Sequence, residues 1–157
     1  MVKAIKSHEL ETDVPAAELW KIYGTRRFVE VVHQLLPQLL QKVVIVRGDG
    51  GIGTITLKYG VLPGSPSPVT YKEEFTKIDN ENYIKEVTAI EGDVLKPGFT
   101  KYVTRLQIID KGPSSSVIKS SVEYEIDDGH PELEAAVTTT PFALAARAIA
   151  KYVKENK

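Results

Sequence analysis

Apolar and polar residues alternate with a period of two along most of this chain, and the alternation is interrupted after the first strand and again in the tail. Residues 3–13 read as a strand, with Ile5 and Leu10 among polar neighbours. Pro15 suits the first turn of a helix, and residues 16–23 supply Leu19, Trp20 and Tyr23 as its apolar face. Thr25 can cap a second short helix from Phe28 to Leu36, which Pro37 ends. Strands are predicted at 40–47, 53–60, 69–77, 82–91, 99–109 and 115–126, each bounded by Gly, Pro, Asn, Asp or Ser. The breaker-rich run Leu62-Pro63-Gly64-Ser65-Pro66-Ser67-Pro68 reads as a long surface loop. Residues 132–157 form an Ala-rich helical tail, with a break expected near Thr140 because Pro141 cannot donate to the preceding turn.

Runs of strands with segregated helices predict an α+β fold. The expected architecture is one domain over residues 1–157: a curved seven-stranded antiparallel sheet wrapped around a long C-terminal helix, with two short helices after the first strand. Sheet curvature and helix radius do not match everywhere, so such a wrap leaves a hollow. Alternation then says what points into it. Tyr71, Glu73 and Phe75 share one face of their strand, opposite the polar set Lys72, Glu74 and Thr76. The apolar face carries Glu73 inward with it. On the next strand Tyr83, Lys85, Val87 and Ala89 share a face. A hairpin turning about Asp79 would put Glu73 directly opposite Lys85. A one-residue slip would send Lys85 outside. A carboxylate and an amine paired in a hollow, beside the Tyr71 hydroxyl, make an acid–base constellation. A Lys and a Glu across a hairpin are equally the makeup of a solvated surface pair.

The loop Gly48-Asp49-Gly50-Gly51-Ile52-Gly53-Thr54 satisfies G-x-G-x-x-G, but its context refuses a dinucleotide. Such a loop must open a helix, and the residues that follow it, Thr54 to Tyr59, are β-branched and aromatic. No Lys-Ser/Thr pair follows to make a triphosphate loop. A glycine-rich turn between strands instead implies a close backbone approach.

Composition narrows the function classes. With 20 basic and 21 acidic residues, the chain has no electrostatic footprint for nucleic acid or an anionic membrane. The absence of cysteine removes disulfides, thiolate catalysis and Cys-type metal sites. His8, His33 and His130 lack metal-ligand spacing. No apolar run approaches the roughly 20 residues of a membrane span, and no apolar segment follows the N-terminal Met1-Val2-Lys3 as in a signal peptide. A cytoplasmic location is expected, with no metal, no nucleic acid and no membrane partner. The association state is expected to be a monomer or weak homodimer.

The Gly48–Thr54 loop, together with Ile90-Glu91-Gly92-Asp93, resembles the plant Bet v I family, which includes the pathogenesis-related class 10 and major latex proteins. That resemblance implies a helix-grip fold over an apolar cavity, with the glycine loop mainly structural. His8-Glu9-Leu10-Glu11, Leu19 to Tyr23, Tyr71-Lys72-Glu73-Glu74-Phe75, Val117 to Ser121 and Thr138-Thr139-Thr140-Pro141 are similar to the norcoclaurine synthase and norbelladine synthase branch. The branch condenses a phenethylamine with an aromatic aldehyde through an iminium ion, in a Pictet–Spengler reaction of alkaloid biosynthesis. By motif its catalytic Tyr, Glu and Lys fall on Tyr71, Glu73 and Lys85. Its Asp would fall on Thr104, which cannot store a proton as a carboxylate does. The resemblance implies that Lys85, with a lowered pKa, gives a proton to the departing hydroxyl, that Glu73 is the base, and that Tyr71 positions Glu73. Leu36, Leu40, Tyr102, Thr104, Pro141 and Ala145 are the expected pocket lining. The ligands would be small aromatic amines and aldehydes, and no cofactor is expected because the aldehyde supplies the electrophile. The alternative is a non-catalytic carrier of apolar plant metabolites or hormones, such as a cytokinin or flavonoid.

Overall fold

The computed structural model describes residues 1–96 and 98–156. Seven strands follow the predicted order: β1 (Val2–Thr12), β2 (Leu40–Arg47), β3 (Ile55–Leu62), β4 (Ser65–Asp79), β5 (Ile84–Gly92), β6 (Phe99–Asp110) and β7 (Ser116–Ile126). Helices α1 (Ala16–Tyr23) and α2 (Arg27–Leu35) separate β1 from β2. The tail holds a short α3 (Leu133–Ala136) and a long α4 (Thr140–Glu155), so the helix breaks just before Pro141 as expected. Lys157, at the end of the predicted helical tail, lies outside the described residues.

The sheet is antiparallel throughout, in the order β1-β7-β6-β5-β4-β3-β2. Each sequential hairpin places its strands side by side, and the helical excursion carries the chain from one edge to the other. α4 packs on β1, β7 and both short helices. Its buried stripe, Ala145, Ala146, Ile149, Ala150 and Val153, recurs at helical spacing and joins Leu19, Tyr23, Val29, Leu106 and Ile118 in one core. A second core gathers Tyr71, Val94, Phe99, Tyr102, Tyr124 and Phe142 near the break before α4.

The Leu62–Pro68 run is not a long loop. β4 begins at Ser65, paired with Leu62, so Pro63 and Gly64 alone make the turn. Gly64 adopts φ 92°, which lets the chain reverse within two residues. Pro66 and Ser67 are exposed, and Pro is tolerated here near the start of a strand.

The β4–β5 register also differs from expectation. Glu73 faces Ala89, and Lys85 faces Ile78. Asp79 begins the turn rather than centring it. Its carboxylate accepts the Glu81 and Asn82 amides at 3.1 and 3.0 Å and the Asn82 side chain at 2.9 Å. Tyr83, at φ 54°, closes the turn and stacks on Trp20 with ring centroids 5.3 Å apart. Relative to a turn about Asp79, the partner of Glu73 moves from position 85 to 89. That displacement is even, so Lys85 keeps the inner face.

The glycine loop approaches backbone, as its composition implies. Gly53 donates to the Phe75 carbonyl at 2.9 Å, and Gly50 donates to the Thr54 hydroxyl at 2.9 Å. Gly92, at φ 111°, makes a closer approach. A Cβ there would lie 2.5 Å from the Tyr71 Cα and 2.6 Å from the Thr70 carbonyl oxygen. Neither backbone atom can rotate away, so Gly92→Ala is expected to lose about 1–3 kcal/mol of stability, read from urea unfolding.

Candidate active site

Between the sheet and α4 lies an apolar cavity of about 80 Å³ for the centre of a water-sized sphere. One water needs roughly 10–15 Å³ by that measure, so there is room for several. Phe28, Val32, Leu40, Phe75, Val87, Leu106 and Phe142 supply much of the apolar wall. Two lysines and one glutamate break it: Lys58, Glu73 and Lys85, at 8%, 3% and 1% exposure.

Glu73 and Lys85 are both inside, but they are not partners. Glu73 takes its ion pair from Lys58 on β3, with Nζ 2.6 Å from Oε1. Lys58 is in register with Tyr71, which makes it the diagonal neighbour of Glu73. Both groups are buried, so the hydrogen bond is charge-assisted in a low-dielectric setting. Sequence reasoning missed Lys58 because β3 runs against the usual pattern. Its outward residues are Ile55, Leu57 and the exposed Tyr59, whereas Thr56, Lys58 and Gly60 are buried. The signal that finds it is parity: once Tyr71 and Glu73 face inward, their cross-strand partners Lys58 and Thr56 must face inward too.

Lys85 Nζ donates to the Thr25 carbonyl at 3.0 Å, where the chain passes between α1 and α2. It also lies 4.2 Å from the Phe75 ring centroid and 5.6 Å from that of Phe28. Burial pulls its pKa down to about 7, and the Lys58 charge adds to that pull while Glu73 opposes it. The group therefore exchanges its proton near neutrality, the range suited to acid–base work.

Tyr71 lines the cavity beside Glu73. Burial, then the Glu73 charge, then Tyr102 push its phenol well above the ordinary value, so it remains a hydrogen-bond donor. Leu40, Thr104, Pro141 and Ala145 line the cavity, while Leu36 and Tyr102 do not. Leu36 packs against the helix core, and the buried Tyr102 spends its hydroxyl on the Pro63 carbonyl at 2.6 Å. Tyr102 thus pins the β3–β4 turn at the cavity wall. Thr104 lines the cavity without adding an acidic group, leaving Glu73 as the carboxylate among the lining residues.

The match to the Pathogenesis-related protein Bet v 1 family covers residues 1–156. The chain belongs to this family. Norbelladine synthase from Narcissus pseudonarcissus is 42% identical over 156 residues, covering 99% of this chain and 95% of the relative. S-norcoclaurine synthase from Thalictrum flavum subsp. glaucum is 39% identical over 157 residues, covering 99% of this chain and 73% of the relative. The X-ray structure of the Thalictrum flavum norcoclaurine synthase in complex with dopamine and hydroxybenzaldehyde superposes with a TM-score of 0.83 at 37% identity, covering 99% of this chain and 89% of that one. These relatives of the Bet v 1 family are enzymes, and nearly the whole of this chain is covered in each match.

Proposed function

We propose that this protein is a norcoclaurine and norbelladine synthase-like enzyme that condenses a small aromatic amine with an aromatic aldehyde through an iminium ion. The observation that supports this most directly is Lys85: a buried amine that exchanges its proton near pH 7, in an apolar cavity that also holds the Glu73 carboxyl group paired with Lys58.

The chemistry follows from those groups. The amine must lose a proton before it attacks the carbonyl, and Lys85 in its neutral form or Glu73 can take it. The carbinolamine must then lose hydroxide as water, and protonated Lys85 can donate the proton that makes this possible. Tyr71, held protonated, donates a hydrogen bond to the developing oxyanion or to Glu73. The apolar wall keeps bulk water from hydrolysing the imine. Holding two reactants together supplies a further share of the acceleration. Ring closure of Pictet–Spengler type needs a base to strip the proton from the attacked ring. Glu73 is the carboxylate in reach of the cavity, and Lys58 neutralises part of its charge.

The test is to incubate the protein with dopamine and 4-hydroxyphenylacetaldehyde, or with a benzaldehyde, and to resolve the products by chiral chromatography. An enantiomerically enriched cyclised product, or an open-chain imine formed above the background rate, supports the proposal. Racemic product at the uncatalysed rate, alongside tight binding of the aromatic ligands, would make the protein a carrier.

A further inference from the structure

The parity that turns Lys58 into the cavity turns the apolar residues of β3, Ile55, Leu57 and Tyr59, toward the opposite side of the sheet. Val44 on β2 is in register with Leu57 and shares that outer face, and Val46 lies at the register shift beyond it. Val44, Val46 and Tyr59 are 56%, 51% and 40% exposed, and the neighbouring loop residue Ile52 is 69% exposed. Single exposed apolar side chains are ordinary, but a contiguous set on one sheet face marks an interaction surface. The charges at its border have both signs. Arg47 on β2 and Glu74 on β4 are each in register with Ile55, one on either side, and all three line one shallow depression with Ile52. Two strand spacings, about 9.6 Å, separate the Arg47 and Glu74 backbones, and among the described residues neither side chain has an ion-pair partner. Lys42, at the other end of the face, is in register with Tyr59. β2 is an edge strand, but register shifts near both of its ends spoil it for lateral pairing. What the chain offers here is a face and not an edge.

We propose that the outer face of β2, β3 and β4 binds a second copy of this chain, in a weak symmetric dimer whose two-fold axis runs along β3. An axis in that direction stacks Ile55, Leu57 and Tyr59 on their own copies and lays β2 of one protomer over β4 of the other. Each Arg47 then meets the Glu74 of the partner subunit, twice per dimer, so the face is complementary to itself. An axis across the strands would instead set Arg47 over Lys42 of the partner subunit, like charge against like. The mixed border also argues against an anionic membrane or a nucleic acid, which call for cations alone. Three strands with three outward residues each measure roughly 15 by 20 Å, about 300 Å² per copy, against about 800 Å² per partner in a standard interface. The dimer is therefore weak, with a dissociation constant on the order of 100 µM or above. The face lies on the far side of the sheet from the cavity, so this dimer stands or falls independently of the condensation reaction.

Sedimentation velocity of the full chain, from about 10 µM to about 1 mM, tests the proposal across the range a weak interface requires. The wild type is expected to pass from monomer toward dimer over that range. Leu57→Glu, at the centre of the face, should hold the chain monomeric throughout, and Val44→Glu, at a more exposed position, should do the same. Arg47→Glu and Glu74→Arg should each weaken association by about tenfold or more, because each sets like charges against one another twice. The chain carrying both reversals restores opposite charges at both contacts and should regain wild-type affinity within about threefold. Circular dichroism of each variant checks that the fold is kept. Flotation with phosphatidylglycerol vesicles tests the membrane as the other occupant. A monomer at the highest concentration, a dimer that persists in both Leu57→Glu and Val44→Glu, single reversals without effect, a double reversal that fails to restore association, or vesicle binding through this face by a chain that stays monomeric would each overturn the proposal.

Discussion

Urea unfolding of Glu73→Leu is expected to show a loss of about 3–5 kcal/mol, because the substitution strands the Lys58 ammonium in an apolar interior. The side chains of the pair are only 9% and 4% exposed, and they meet at 2.6 Å. At that depth solvent screening does little to soften the loss. Joint replacement, Lys58→Met with Glu73→Leu, is expected to restore wild-type stability or exceed it. The pair's mutual attraction roughly offsets the cost of taking both charges out of water, so removing both together removes a near-zero sum. The double-mutant cycle would then show strong coupling. Additive losses from the two single substitutions would contradict the ion pair as the determinant of stability at this site. The doubly substituted protein should be stable yet without condensation activity, which would separate the pair's chemical role from its structural one.

Lys85→Met is expected to do the opposite: to make the fold more stable and the enzyme worse. The condensation rate should fall by roughly 10²-fold or more, the usual scale for one general acid–base group. The stability change has a definite pH signature. In the folded state burial lowers the Lys85 pKa to about 7 from its ordinary 10.5. Between those values the unfolded chain binds the extra proton and the folded chain does not, so stability rises with pH across that window. The penalty for the buried charge is present in full below about pH 7 and vanishes as pH approaches the ordinary lysine value. Lys85→Met should therefore exceed the wild type most on the acid side, and the two should converge in alkali. In the wild type, the protonated form is the one that can expel hydroxide, so kcat should descend through about pH 7. A mutant advantage that grows with pH would reverse the sign and exclude a depressed Lys85.

The sequence by itself determined the order of elements and the inner face of β4 around Glu73, whereas β5, with apolar residues on both faces, was oriented only by its register against β4. Side chains alternate with a period of two between bulges, so the set Tyr71, Glu73 and Phe75 orients its own stretch of β4, and an even change of register leaves that face where it was; the irregularity between Phe75 and Lys77 resets the alternation beyond it. Pro141 likewise announced the break before α4, since its missing amide and ring cannot continue a preceding helix. Which charges meet was a different matter. Partnership depends on register and on the neighbouring strand, and both are set by features that alternation does not report. The Asp79 carboxylate holds the turn after itself rather than about itself, which moves Glu73 away from Lys85. The turn at Pro63 and Gly64, together with the irregularity between Gly60 and Leu62, sets β3 against β4 and delivers Lys58 to Glu73, although its own strand reads as if that face were outward. Only the folded sheet decided that the cavity holds two ammonium groups and one carboxylate, because distance between strands is a property of the hairpins and not of any one stretch of chain.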